Sequence, residues 1–156
     1  MRYGRHAIVA FFAKPWRPLR EIELVEKIEH IGIAVKDLQT SIPLWEALLN
    51  TPCYKTEAVE REGVETAFFR TGDNKIELLQ STREDGPIGK FVAKKGEGIH
   101  HIAFAVTDIR AEMKRLMALG FELLSGEPKP GADGKEVVFL HPKSANGVLV
   151  ELCADV

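Results

Sequence analysis

The chain repeats itself, and that repeat limits its fold more than any other feature. Ile28-Glu29-His30-Ile31-Gly32-Ile33-Ala34-Val35-Lys36-Asp37-Leu38 returns as Ile99-His100-His101-Ile102-Ala103-Phe104-Ala105-Val106-Thr107-Asp108-Ile109, at an offset of 71 residues. Self-similarity at a fixed offset marks a supersecondary unit used more than once. Each copy reads as a strand of alternating pattern that ends in an aspartate, a favoured helix N-cap. Helices are therefore predicted over Leu38 to Leu49 and Ile109 to Leu119. Strand-like runs follow the first helix at Tyr54 to Val59, Val64 to Thr71 and Lys75 to Leu79, separated by Glu62-Gly63 and Gly72-Asp73-Asn74. The second copy offers Phe121 to Leu124, Glu136 to Leu140 and Val148 to Leu152, with a Gly/Pro-rich loop from Gly126 to Gly134. An amphipathic segment, Pro87 to Lys95, joins the halves.

The predicted fold class is therefore α+β: two tandem βαβββ modules, about 27–80 and 98–153, forming a cupped, mostly antiparallel sheet with helices on its outer face. Residues 1–26 are read as an N-terminal extension and 27–156 as one domain. Alternation along the repeated strands supports the cup, because successive side chains of a strand point to opposite faces. Ile31, Ile33 and Val35, with Ile102, Phe104 and Val106, suit packing against helices. The other face carries His30, Gly32 and Ala34, and His101, Ala103 and Ala105, so each histidine stands beside residues too small to fill a core. By the same register His100 belongs with the helix layer, as a hydrogen-bonded structural histidine.

Each module ends on a strand with a single acid among apolar neighbours, Lys75-Ile76-Glu77-Leu78-Leu79 and Val148-Leu149-Val150-Glu151-Leu152. A carboxylate in such company is costly to bury unless a cation or donor compensates it. His30, Glu77, His101 and Glu151 can thus converge on one divalent ion. Their nitrogen and oxygen donors suit Zn, Co, Mn or Fe rather than Cu(I). Glu65, in Gly63-Val64-Glu65-Thr66-Ala67, is either an exposed strand residue or a further acid of the site. Cys153 reads as small core filling, His141 as the anchor of the turn before the last strand, and His6 carries no chemical argument.

Composition narrows the partners. With 156 residues, 45% apolar and 28% charged, the chain is long enough for one ordinary globular core. A net charge of −2 does not favour nucleic acid or an anionic membrane. Cys53 and Cys153 form no zinc-type or C-x-x-C spacing and fit a reducing cytoplasm. The first twenty residues are basic through Arg2, Arg5, Lys14, Arg17 and Arg20. A mitochondrial presequence, and hence the matrix, is the second reading of that segment. Its apolar stretch, Ala7 to Ala13, is too short to span a bilayer.

Taken together, Lys75-Ile76-Glu77-Leu78-Leu79, Gly98-Ile99-His100-His101-Ile102-Ala103-Phe104 and His141-Pro142-Lys143-Ser144 through Gly147-Val148-Leu149-Val150-Glu151-Leu152 resemble the methylmalonyl-CoA epimerases of the vicinal oxygen chelate superfamily. The likeness runs from about Lys27 to Cys153. It implies one divalent metal per chain, Co2+, Mn2+ or Zn2+, held by His30, Glu77, His101 and Glu151. It also implies an acyl-CoA substrate and a homodimer, with Glu65 and Glu151 as the catalytic acids. The implied reaction removes the α-proton between a carboxylate and a thioester and returns it on the other face through a metal-stabilised enolate. The alternatives are a glyoxalase-like lyase or isomerase on the same metal site, and a drug-binding resistance protein without catalysis. An iron dioxygenase would use two histidines and one carboxylate, and Glu77 counts against it.

Overall fold

A computed structural model describes residues 24–156. The basic leader, and with it the reading of an extension or presequence, lies outside the described residues. In chain order the elements are β1 (Val25–Val35), α1 (Leu38–Leu49), β2 (Lys55–Val59), β3 (Val64–Thr71), β4 (Asn74–Ser81), α2 (Pro87–Lys95), β5 (Gly98–Val106), α3 (Ile109–Ala118), β6 (Lys129–Pro130), β7 (Lys135–Leu140) and β8 (Val150–Asp155). They form one eight-stranded sheet in the order β2-β3-β4-β1-β5-β8-β7-β6. The two copies of the repeat, β1 and β5, meet antiparallel at its centre. Each module's last strand returns to lie parallel to its first, β4 on β1 and β8 on β5. The remaining pairings are antiparallel. This is the predicted α+β arrangement of two βαβββ modules.

Alternation decides which face each strand buries. Val35, Ala67, Phe69 and Leu78 pack with Leu38 and, less deeply, Ile33 and Trp45 beneath α1. Val106, Val138, Leu140 and Leu152 pack with Ile109, Met113 and Leu116 of α3. On the other face a smaller cluster, Ala34, Val64 and Leu79, is covered by Ile88 of α2, which closes one end of the cup. Cys153 is core filling as predicted, 1% exposed. No helix among the described residues is long and apolar enough to cross a membrane.

Both helices of the repeat start where the aspartates predict. Asp37 accepts from the backbone N–H of Gln39 and Thr40 at 3.2 and 3.1 Å, and Asp108 from that of Ala111 at 2.9 Å. Because these bonds satisfy otherwise orphaned donors, Asp37→Ala is expected to lower stability by about 1 kcal/mol in urea unfolding, with activity unchanged.

One predicted strand is replaced. The segment 121–124 makes only an isolated bridge, Leu123 to Leu140, because Phe121 and Leu123 turn in to pack under α3. The loop read from Gly126 to Gly134 instead supplies the edge strand, Lys129 and Pro130 opposite Val137 and Glu136. Proline suits an edge, where no ladder donor is needed. The final strand starts at Val150 rather than Val148, since Val148 still closes a turn onto Ala145 at 2.9 Å. That turn opens as expected on His141, whose Nδ1 accepts from the Lys143 N–H at 3.1 Å.

Candidate metal centre

The central strands lay the four predicted ligands out in two rows. In one, Glu77 of β4, Gly32 of β1 and His101 of β5 are direct cross-strand neighbours. In the other, His30 of β1, Ala103 of β5 and Glu151 of β8 are neighbours. Each row reads acid, small residue, histidine, and the two run in opposite senses about the β1–β5 seam. The small residue leaves room for the rings to lean inward. Any Cβ on Gly32 would overlap the His101 imidazole. The 71-residue offset also carries Phe68 onto Phe139, and each phenylalanine sits directly across from its module's acid, Phe68 from Glu77 and Phe139 from Glu151.

The donors converge. His30 Nε2 lies 3.0 Å from His101 Nε2 and 3.1 Å from Glu77 Oε2. Glu151 reaches to 3.3 Å from His101 Nε2 with one oxygen and 3.9 Å from His30 Nε2 with the other. All four side chains are buried. They line a cavity of about 290 Å³ whose walls include Thr66, Phe68, Leu79, Phe139 and Leu149.

Burial and the neighbouring charges shift the titration of these groups in opposite directions. Burial opposes charge on His30, but hydrogen bonds with Glu29 and Glu77, together with the charges of Glu77 and Glu151, push it up to about 10. Burial, with His30 and His100 nearby, drives His101 well below the usual histidine range. Burial also pushes the Glu151 carboxyl up to about 8. Two imidazole nitrogens face each other at hydrogen-bond distance, so at most one proton can lie between them. Two further carboxylates press on the same point. Such nitrogen and oxygen sets are ordinary ligands of divalent cations. His30, Glu77 and His101 are arranged to hold a metal ion, their donor atoms within 4.8 Å of one another.

Glu65 is not part of this constellation. It is exposed on β3, and the cavity takes its neighbours Val64 and Thr66 instead. Strand parity is the reason: one residue's displacement moves a side chain to the opposite face. Of the two readings given for this position, the structure shows the exposed strand residue. Thr66 fills the corresponding inward place, its hydroxyl donating to the Glu57 carbonyl at 3.2 Å.

Sequence reasoning missed several residues in and around the site. Glu29 is buried and hydrogen-bonded to His30 Nδ1, and Lys75 lies 2.5 Å from its other oxygen. Burial would raise the Glu29 carboxyl, yet these partners hold it at about 2. Lys75 continues to Asp133 at 2.8 Å, and Lys55 joins Asp133 at 3.1 Å. The Asp133 N–H donates to Glu57 at 3.0 Å, so the loop of the second module is clasped to the first across the mouth of the cup. His100 also lines the cavity rather than the helix layer, with Nδ1 2.9 Å from His101 Nδ1.

Comparisons with known proteins agree with this geometry. Residues 29–139 match the family model described as Glyoxalase/Bleomycin resistance protein/Dioxygenase superfamily. An ethylmalonyl-CoA/methylmalonyl-CoA epimerase of Cereibacter sphaeroides is 41% identical over 131 residues, covering 83% of this chain and 98% of that protein. A variant of Streptomyces coelicolor methylmalonyl-CoA epimerase, solved in complex with 2-nitronate-propionyl-CoA, superposes with a TM-score of 0.80 at 38% identity over 85% of this chain and 99% of that one. A methylmalonyl-CoA epimerase in complex with methylmalonyl-CoA and NH4+ gives the same TM-score of 0.80 and 38% identity, over 85% and 96% of the two chains. This chain belongs to the glyoxalase/bleomycin resistance protein/dioxygenase superfamily and, within it, to the methylmalonyl-CoA epimerase family.

Proposed function

We propose that the protein is a metal-dependent epimerase that interconverts the (2R) and (2S) forms of methylmalonyl-CoA. The observation that carries this reading is the meeting of His30, Glu77, His101 and Glu151 on the floor of one cavity, in a chain 41% identical to an epimerase of that name. His30, Glu77, His101 and Glu151 would hold one Co2+, Mn2+ or Zn2+. When bound, such a cation supplies a Lewis acid for the charge that develops on the thioester oxygen as the α-proton leaves.

The remaining work falls to the chain's own side chains. The cavity of about 290 Å³ has room for the branched acyl group, with the nucleotide part of CoA outside. Phe68, Leu79, Phe139 and Leu149 exclude water from the reacting carbon and sharpen every charge interaction there. Glu151 is the acid we assign to proton transfer. Its ion-pair contacts among the described residues are with His30 and His101 alone.

The deciding test incubates each epimer with metal-loaded protein in deuterium oxide, following α-deuterium incorporation and epimer conversion in the same samples. Neither exchange nor conversion in a metal-loaded sample would remove the epimerase reading. Because Glu65 faces away from the cup, Glu65→Gln is expected to keep turnover within about twofold, well short of the ~10²-fold or greater cost of losing a true proton-transfer group. We further propose a homodimer, for which sedimentation velocity at micromolar concentration should give twice the 17.4 kDa chain mass. A monomer with full activity would exclude it.

A further inference from the structure

The register between the repeated strands shifts at three places, between Val25 and Lys27, Ile28 and His30, and Gly32 and Ile33, and the last two shifts are related. Where β1 pairs with β5, Ile28 faces Phe104 and His30 faces Ala103, so Glu29 is an extra residue on β1. Gly32 faces His101 and Ile33 faces Ile99, so His100 is an extra residue on β5. These are β-bulges, and the 71-residue offset carries one onto the other. A bulge lets two successive side chains emerge on one face. Each ligand histidine is thereby given its own preceding residue as a companion inside the cup. Glu29 meets His30 at Nδ1, and His100 meets His101 at Nδ1, 2.9 Å away.

We propose that Glu29 and His100 are paired positioning residues, which fix the tautomers of His30 and His101 so that both Nε2 lone pairs face the metal site. The inference rests on the metal reading above. An imidazole can offer Nε2 to a cation only if its proton sits on Nδ1, and that N–H then needs an acceptor. Glu29, pinned on its far side by Lys75 at 2.5 Å, is acceptor-only when ionised and so dictates the tautomer of His30. His100 does the same for His101 by presenting a bare Nδ1, which places its own proton on Nε2. Its ring is held for this by Phe91 of α2, edge-on with centroids 5.0 Å apart. The two modules therefore solve one problem unequally, with a carboxyl group behind His30 and an imidazole behind His101. A charged partner raises ligand basicity more, so His30 is the stronger of the two nitrogen ligands.

The test measures Zn2+ affinity by chelator competition for the wild-type chain and for Glu29→Gln, His100→Phe and His100→Asn, with circular dichroism and thermal unfolding of each metal-free protein. Glu29→Gln is expected to lose roughly 10–100-fold in affinity, and His100→Phe, which keeps the ring contact but removes the acceptor, about tenfold. His100→Asn returns an acceptor near the former Nδ1 and should recover affinity to within about threefold of wild type. A merely structural role would lower the unfolding temperature without this ordering. In the Zn2+-loaded wild type, nitrogen-15 spectra should show protons on Nδ1 of His30 and His101 and on Nε2 of His100. Unchanged affinity in both Glu29→Gln and His100→Phe, or a proton on Nε2 of His101, overturns the proposal while leaving the metal site standing. A wild-type chain that takes up no Zn2+ overturns both.

Discussion

His101→Ala is expected to abolish stable metal retention and to lower turnover by roughly 10³-fold or more, with the fold intact. The size follows from what is removed. His101 Nε2 is the donor closest to both His30 and Glu151, at 3.0 and 3.3 Å, so its loss opens the centre of the constellation rather than its edge. Lewis-acid stabilisation is worth several kcal/mol, and each 1.4 kcal/mol is about tenfold in rate. The fold should survive because the ring projects into the cavity, where water can replace it, and no cluster beneath α1 or α3 includes it. Elemental analysis after dialysis, far-ultraviolet circular dichroism and the deuterium assay together decide the matter. Full metal content and turnover in this variant would remove His101 from the ligand set. A variant that loses both metal and fold would show that His101 also serves the core.

The sequence made the scaffold legible because its signals are periodic. Alternation in β1 and β5 assigned Ile33, Val35, Phe104 and Val106 to the helix face, and capping chemistry placed the starts of α1 and α3 at Asp37 and Asp108. The repeat then located Glu77 and Glu151 without any knowledge of pairing. What stayed hidden depends on register. A bulge adds no residue type that a pattern can detect, so His100 was assigned to the wrong face and Glu29 to none, although the repeat itself aligns them. Lys75 and Asp133 meet across 58 residues of chain, and only the closed sheet brings them together. The two readings of Glu65 were left open for the converse reason. Its catalytic role came only from the resemblance, whereas the β3 pairing of Glu65 with Gln80 and Ala58 leaves Val64 and Thr66 facing the cup.

Gly32→Ala tests whether the two-row layout, rather than the ligands alone, makes the site. Gly32 is absent from the residues of positive φ, so glycine is not needed here for backbone freedom. On conformational grounds alanine should stabilise a strand interior by roughly 0.5–1 kcal/mol. The structure reverses that sign, because the new Cβ would occupy the place of the His101 ring. Retreat of the ring is resisted on three sides: it is 3% exposed, with His30, His100 and Phe139 edge-on at centroid distances of 5.1, 5.2 and 5.6 Å. Overpacking of this kind costs about 1–3 kcal/mol, and a displacement of about 1 Å in a reacting constellation costs about 10²-fold in rate. We therefore expect Gly32→Ala to fold with lower stability, to bind Zn2+ more weakly in chelator competition, and to turn over about 10²-fold more slowly. The twin row supplies the control. Ala103, which stands against His30 as Gly32 stands against His101, already carries a Cβ. Ala103→Gly removes that atom without crowding a ring, so it should cost only about 1 kcal/mol of stability and keep the metal. If Gly32→Ala instead matched the wild type in affinity and turnover, the His101 ring would have to sit clear of β1, and the cross-strand rows would no longer account for how the ligands converge.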